Sequence, residues 1–287
     1  HGLRINKYRV KKISLLFIMS ESGYGSSIAN SNNSSLAQNM EHSIDSLNIK
    51  NLASNFESKS AQEILKWSFD NYGTKIALAS SFGMEDVILI DMMVKINKNK
   101  TKIFTLDTGR LNQETYDLMD EISKKYDITI DTYFPDSFEV EEMVRTKGFN
   151  LMYESIENRK LCCGIRKVNP LNRALRSLDG WITGLRREQS VTRSDIEKVE
   201  IDTAHNNILK INPLADWTEK MVWTYIKENN VPYNKLHDKG YPSIGCEPCT
   251  RAISPGEDIR SGRWWWEQPD QKECGLHIDQ SKTSNQE

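Results

Sequence analysis

Four short apolar runs alternate with helical patterns along the middle of this chain, and each run ends in small or charged residues. Lys75–Ala79 ends in Ser80-Ser81-Phe82-Gly83, and Lys102–Leu106 ends in Asp107-Thr108-Gly109-Arg110. Ile128–Tyr133 follows, and Trp181–Thr183 ends in Gly184-Leu185-Arg186-Arg187. Helical spacing covers Ser60–Tyr72, the stretch around Val87–Met92, Gln113–Tyr126, Phe138–Lys147 and Leu171–Leu178. Strands alternating with helices of this length predict an α/β fold, a mostly parallel sheet with helices on both faces. Ligands of such sheets bind at the carboxyl ends of the strands, so the Ser/Gly, Asp/Gly/Arg and Gly/Arg segments are expected to share one crevice. Val199–Thr203 and Ile208–Ile211 predict a hairpin, and Trp217–Asn229 a helix capped by Asp216. Beyond Tyr233 the Gly and Pro content predicts loops and short helices wrapped on the core, with a mobile end.

At 287 residues the chain can bury one large core with appendages. Residues 20–40 are rich in Ser, Asn and Gly and carry few large apolar side chains, so 1–43 reads as a disordered tail. Residues 44–250 form the predicted α/β domain and 251–287 a mobile C-terminal segment. Arg9, Lys11 and Lys12 before Ile13–Met19 resemble a minimal signal core. Unpaired reactive thiols favour a reducing compartment instead, so a cytoplasmic protein is expected, with Met19 or Met40 as candidate starts. No apolar run reaches the length of a membrane helix. A formal net charge of −2 gives no bulk reason for a nucleic-acid or membrane partner. Positive charge is nevertheless concentrated at Arg159, Lys160, Arg166, Lys167, Arg173 and Arg176, then at Arg186, Arg187 and Arg193. That concentration fits either a small anionic ligand or a solvated helix face.

The strand-to-helix turn at Ser80–Gly83 offers backbone N–H groups and hydroxyls to an anion. It has neither Gly-x-x-x-x-Gly-Lys-Ser/Thr nor Gly-x-Gly-x-x-Gly, which argues against a Walker-type or nicotinamide site. Asp107–Arg110 is the same device one strand over. Five cysteines fall as Cys162-Cys163, Cys246-Glu-Pro-Cys249 and a solitary Cys274. Disulfide frameworks belong to short secreted domains, so a four-thiolate metal or cluster site plus one reactive thiol fits better. Zinc prefers two spaced pairs, whereas a cubane cluster is wide enough to take neighbours on separate irons. Lys167, four residues past Cys163, is placed to offset cluster charge and reach an anion, or is an ordinary solvated lysine. Cys274, with His277 three residues on, is the candidate nucleophile, provided its neighbours depress its pKa.

Taken together, Ser80-Ser81-Phe82-Gly83, Leu106–Arg110, Cys162–Lys167, Thr183–Ser190, Tyr241–Cys249, Arg260–Trp266 and Glu273–His277 resemble the assimilatory sulfonucleotide reductases. They look most like the bacterial, iron–sulfur type of adenosine 5′-phosphosulfate (APS) reductase. The resemblance implies an adenine-nucleotide fold like that of the ATP-pyrophosphatase superfamily. It also implies a 4Fe–4S cluster on Cys162, Cys163, Cys246 and Cys249, and attack of Cys274 on the sulfur of APS. By the same resemblance Lys167, Arg260, Arg263 and His277 bind the phosphosulfate. Ser81, Leu106, Thr108, Gly184 and Arg193 match positions that hold the adenosine and its phosphate. A separate thioredoxin or glutaredoxin is the expected reductant, since no thioredoxin-like stretch follows His277, and relatives suggest a homo-oligomer. Three rivals stay open: a reductase of 3′-phospho-APS or of both nucleotides, a zinc-stabilised nucleotide-binding protein without turnover, and an adenylating enzyme on the same fold. The last lacks its Ser-Gly-Gly-x-Asp-Ser-type loop here.

Overall fold

A computed structural model of the chain describes residues 48–190, 193–268 and 275–276, which fall in one compact unit starting at Ser46. The expected tail, Cys274 and His277 lie outside the described residues. Helix α1 covers 48–57. Ser60 then caps α2 (Ala61–Tyr72) in a reciprocal box with Glu63, which closes two of the helix's unpaired N–H groups. Strand β1 (Ile76–Ala79), helix α3 (Met84–Asn97), strand β2 (Ile103–Leu106), helix α4 (Gln113–Tyr126) and strand β3 (Ile130–Tyr133) follow as two crossover units. Helix α5 (Ser137–Lys147) starts where the Asp136 carboxylate accepts the N–H groups of Phe138 and Glu139.

After α5 the chain returns along α6 (Ile156–Cys163), a π-helical turn (Gly164–Val168) and α7 (Asn169–Leu175) to β4 (Gly180–Ile182). Strands β5 (Val199–Asp202) and β6 (Ile208–Ile211) pair antiparallel as the predicted hairpin, and helix α8 (Glu219–Glu228) follows. The sheet order is β3-β2-β1-β4-β6-β5, parallel in all pairs but the last. Strand order therefore reverses at β1: the chain builds outward through β2 and β3, then restarts at β4 on the opposite side. A ligand crevice is expected at such a switch point.

One core lies between the sheet and α2, α3 and α8. In α3 every residue from Met84 to Met93 is buried, so this helix is covered on all sides. The opposite face packs Ala77, Phe104 and Trp181 against Leu171, Ala174 and Leu175 of α7. Each large apolar side chain so buried contributes about 1.5–3 kcal/mol.

Some predicted details change. The cap of α8 is Thr218, whose hydroxyl accepts the Met221 N–H. Asp216 instead takes an ion pair from buried Lys198 at 2.8 Å. The helix expected over Leu171–Leu178 begins at Asn169 and stops at Leu175, and α6 was not anticipated at all. The π-helical turn has a local cause. Pro170 has no N–H for the carbonyl four residues back, and its ring presses on that carbonyl. Widening the turn, with Asn169 N–H donating to Gly164 O, relieves both.

Candidate functional site

The turns after β1, β2 and β4 meet around a cavity of about 240 Å³. Ser81, Leu106, Thr108, Lys167, Gly184, Arg193, Arg260 and Arg263 all line it. These are the substrate-binding candidates from the sequence, with only His277 outside the described residues. Residues 193–263 thus join a crevice that three strand ends begin. Leu276, two residues past Cys274 in sequence, also lines it, and packs with Phe104, Leu171 and Trp181.

The turn after β1 is tightly specified. Phe82 is buried with φ of +60°, a left-handed conformation that costs a non-glycine residue energy. Ser80 Oγ accepts its N–H at 3.1 Å, and Asp86 of α3 accepts both the N–H (2.6 Å) and hydroxyl (2.9 Å) of Ser81. Asp86 is held in by Gly184, where a Cβ would stand 2.4 Å from its Oδ1, so only glycine fits. Burial pushes the Asp86 carboxyl up to about 6, against the lowering donors of Ser81. The neighbouring Glu85 is ion-paired with buried Arg186 at 2.7 Å. Gln189 ties this wall together: its Oε1 accepts from Arg186 N at 3.1 Å and Arg193 Nη1 at 2.5 Å, and its Nε2 donates to Gly184 O at 3.1 Å.

After β2, Asp107 accepts the Gly109 N–H (2.8 Å) and the Tyr116 hydroxyl (2.9 Å). Tyr116 is therefore a support of the turn, and Glu114 is a surface residue paired with Lys239 at 2.7 Å. Thr108 faces two ways. It lines the large cavity, its carbonyl accepts Arg166 Nη1 at 2.6 Å, and its hydroxyl lies 3.2 Å from Cys246 Sγ.

Cys162, Cys163, Cys246 and Cys249 are all buried and reduced, and together they line a second, smaller cavity. Cys246, Lys167, Arg166 and Trp264 lie along it too, and Cys246, Lys167 and Trp264 also border the large cavity. The π-helical turn sets Lys167 between the two and Arg166 on the cysteine cavity. Burial drives the Cys246 thiol up, but Lys167, the Thr108 hydroxyl, Arg263 and Arg166 outweigh it and leave the pKa lowered. Cys249 is pushed up to about 12 by burial and by Cys246 beside it. Among the described residues no group of three or more His, Cys, Asp or Glu side chains is arranged to hold a single metal ion. The surroundings do fit a larger, acceptor-rich sulfur group. The buried donors Trp264 Nε1 and Arg166 Nε have no partner among the described residues, and both residues line the cysteine cavity.

Trp264 and its neighbours were only part of a motif in the sequence. The fold sets two guanidinium groups over the Trp264 ring, Arg159 at 5.0 Å and Arg263 at 4.7 Å from its centroid. Arg159, fully buried, holds the following segment through two bonds to Glu267, at 2.9 and 2.8 Å. The pairing of Arg159 with Glu267 and the packing of Asp86 against Gly184 carried no signal in the sequence, because each joins distant segments; Gln189 appeared only as part of a motif. No helix among the described residues is long and apolar enough to cross a membrane.

The comparisons with known proteins agree with this geometry. The profile of the phosphoadenosine phosphosulfate reductase domain matches residues 75–252. A Burkholderia cepacia protein named adenosine 5′-phosphosulfate reductase is 53% identical over 204 residues, which are 71% of this chain and 81% of that protein. An Arabidopsis thaliana protein named 5′-adenylylsulfate reductase 3, chloroplastic, is 46% identical over 79% of this chain, but only 50% of its own length is matched. Among solved structures, a phosphoadenylyl-sulfate reductase from Candida auris in a phosphate complex superposes with a TM-score of 0.60 at 30% identity, covering 69% of this chain and 94% of that one. The chain belongs to the phosphoadenosine phosphosulfate reductase domain family.

Proposed function

We infer that this chain reduces adenosine 5′-phosphosulfate to sulfite and AMP, a step of sulfate assimilation, in a reducing compartment such as the cytoplasm. The observation that carries the reading is one cavity at the switch point of the sheet, lined by Lys167, Arg193, Arg260 and Arg263 and sharing Cys246, Lys167 and Trp264 with the smaller cavity of the four buried thiols. The names of its close relatives point the same way.

In this reading Ser81, Leu106, Thr108 and Gly184 hold the adenosine end, and the cations hold the phosphosulfate. Arginine forks suit such oxyanions, and fixed cations stabilise charge as it moves onto the phosphate. The Cys274 thiolate attacks the sulfur of the sulfuryl group. The bond from that sulfur to the bridging oxygen breaks, and AMP leaves with the electron pair, giving a thiosulfonate on Cys274. His277 is assigned to the same anion. A dithiol of the thioredoxin or glutaredoxin class then attacks Cys274 Sγ and releases sulfite. Its second thiol resolves the mixed disulfide. The dithiol's two electrons account for the change from S(VI) to S(IV).

Cys162, Cys163, Cys246 and Cys249 would hold a 4Fe–4S cluster, which when bound supplies concentrated charge beside Lys167. Lys167, bordering both cavities, would face that charge on one side and present its ammonium to the substrate anion on the other.

The reading is tested by incubating the full chain with APS and no reductant, then measuring intact and peptide masses. One SO₃ group added to the Cys274 peptide, and removed by reduced thioredoxin with release of sulfite, is the expected result. Sulfite formed without any adduct on Cys274 would overturn the mechanism.

A further inference from the structure

Leu276 is the one member of Cys274-Gly275-Leu276-His277 whose presence the chemistry above does not require. It lines the same cavity as Lys167, Arg260 and Arg263, yet its side chain carries no donor for an anion. It packs instead on Phe104, Leu171 and Trp181. These three are at most 3% exposed and line the cavity as well.

That apolar floor is fixed from behind. Trp181 Nε1 donates to Asp202 Oδ2 at 3.0 Å, and His205 Nδ1 lies 2.8 Å from the same oxygen. The His205 ring also stands edge-on to Trp181, 5.8 Å between centroids, as Tyr133 does to Phe104 at 5.9 Å. A tryptophan held by its N–H and by a neighbouring ring presents one face only. Gly275 has φ of +84°, a left-handed backbone that suits glycine. A Cβ there would meet Val168 Cγ2 at 3.7 Å, an ordinary contact, so the glycine serves the backbone turn and not the space. Two residues of chain span at most about 7 Å. Fixing Leu276 on its floor therefore confines the Cys274 backbone to within that distance of a cavity residue. Attack on a bound sulfuryl group gains most of its rate from such confinement.

We propose that Leu276 is a positioning residue: its burial on Phe104, Leu171 and Trp181 sets Cys274 at the sulfuryl group for the first half of the reaction. This rests on the reading that Cys274 attacks a phosphosulfate in this cavity. In that half, the bond from sulfur to the bridging oxygen is exchanged for one to Cys274 Sγ, and AMP leaves with the electron pair. In the second half a protein dithiol attacks Cys274 Sγ and expels sulfite. Such a reductant cannot enter a cavity of about 240 Å³, so the second half does not depend on Leu276 in its seat.

The test separates the halves. Full-length wild type, Leu276→Ala and Leu276→Met are mixed with APS and no reductant, quenched at intervals, and the mass of the Cys274 peptide is read. Leu276→Ala should gain SO₃ at least about tenfold more slowly, the effect of losing most of one buried leucine. Leu276→Met keeps the apolar volume and should stay within about threefold of wild type. AMP affinity by titration calorimetry, and the rate at which reduced thioredoxin clears a preformed adduct, should stay within about twofold in both variants. Adduct formation at the wild-type rate in Leu276→Ala overturns the proposal. So does a parallel loss of AMP affinity, which would make Leu276 a ligand contact, or an equal slowing of both halves, which would make it a general support of the fold. Should Leu276→Ala not fold, Leu276→Val decides by the same outcomes, with an expected slowing of about fourfold for one lost methylene. Wild type forming no adduct at all would instead bring down the Cys274 reading itself, and this inference with it.

Discussion

Gly245→Ala is a sharp probe of the anion site because it moves a charge without removing it. A Cβ on Gly245 would stand 2.4 Å from Arg263 Nη2 and 2.6 Å from its Cζ. The guanidinium must then retreat by about 1 Å to reach ordinary contact distance. Little holds it in place along that path. Its bonds to Ser243 Oγ and Ile244 O are long, 3.4 and 3.3 Å, and Trp264 offers only its ring face. Overpacking of this kind costs about 1–3 kcal/mol of stability, so the protein should still fold. The substrate anion, however, loses a donor aimed at it, and a misplacement of 1 Å can reduce turnover by about 10²-fold. Steady-state sulfite release from APS gives the rate, and urea unfolding gives the stability. The expected outcome is a loss of about 10²-fold in kcat/KM with a modest drop in unfolding midpoint. Turnover within about twofold of wild type would refute the placement of Arg263 at the reacting anion.

Three further outcomes follow from the structure. Cys274→Ser should abolish sulfite release while leaving iron and sulfide content at wild-type levels, because the proposed nucleophile and the four buried thiols are separate sets; retained turnover would remove Cys274 from the chemistry. Glu267→Gln removes the carboxylate charge paired with fully buried Arg159, so urea unfolding should show a loss of about 3–5 kcal/mol, and an unchanged midpoint would show the pair to be dispensable. The third concerns pH. The Asp86 carboxyl, raised to about 6 by burial, stands above its unfolded value. Its ionisation therefore destabilises the fold: the penalty is absent below the unfolded pKa, grows as pH rises, and is complete above about pH 6. Glu85, held by Arg186, is the other charge facing it. The stability of Asp86→Asn relative to wild type should rise between pH 4 and about 6.5, and a pH-independent difference in unfolding midpoint would contradict the buried-charge assignment.

The elements that position the site were legible because their signals are local. The run Ile76–Ala79 and the turn Ser80–Gly83 act within a few residues of themselves. The shared crevice followed from strand–helix alternation and the rule that ligands gather at strand ends, while the switch point came only with the strand order. Motif resemblance supplied Lys167, Arg193, Arg260 and Arg263; spacing alone placed only Lys167 and Arg193 in a basic stretch. What stayed hidden depended on long-range pairing. Arg159 reads as one more basic residue until Glu267 is seen to hold it, 108 positions away. Asp86 reads as an ordinary helix-start acid until Gly184 closes over it. The π-helical turn at Gly164–Val168 has no periodic signature, since only Pro170 hints that a regular helix cannot pass. Asp216 looked like the cap of α8 because its partner Lys198 lies on a different segment.

The central claim is tested most directly on protein purified without oxygen. Sulfite release is measured with APS and with 3′-phospho-APS, each with reduced thioredoxin, and the visible spectrum is recorded on the same sample. The account predicts brown protein that turns over APS in preference to the 3′-phosphorylated nucleotide. A colourless protein containing zinc and releasing no sulfite from either nucleotide would contradict it.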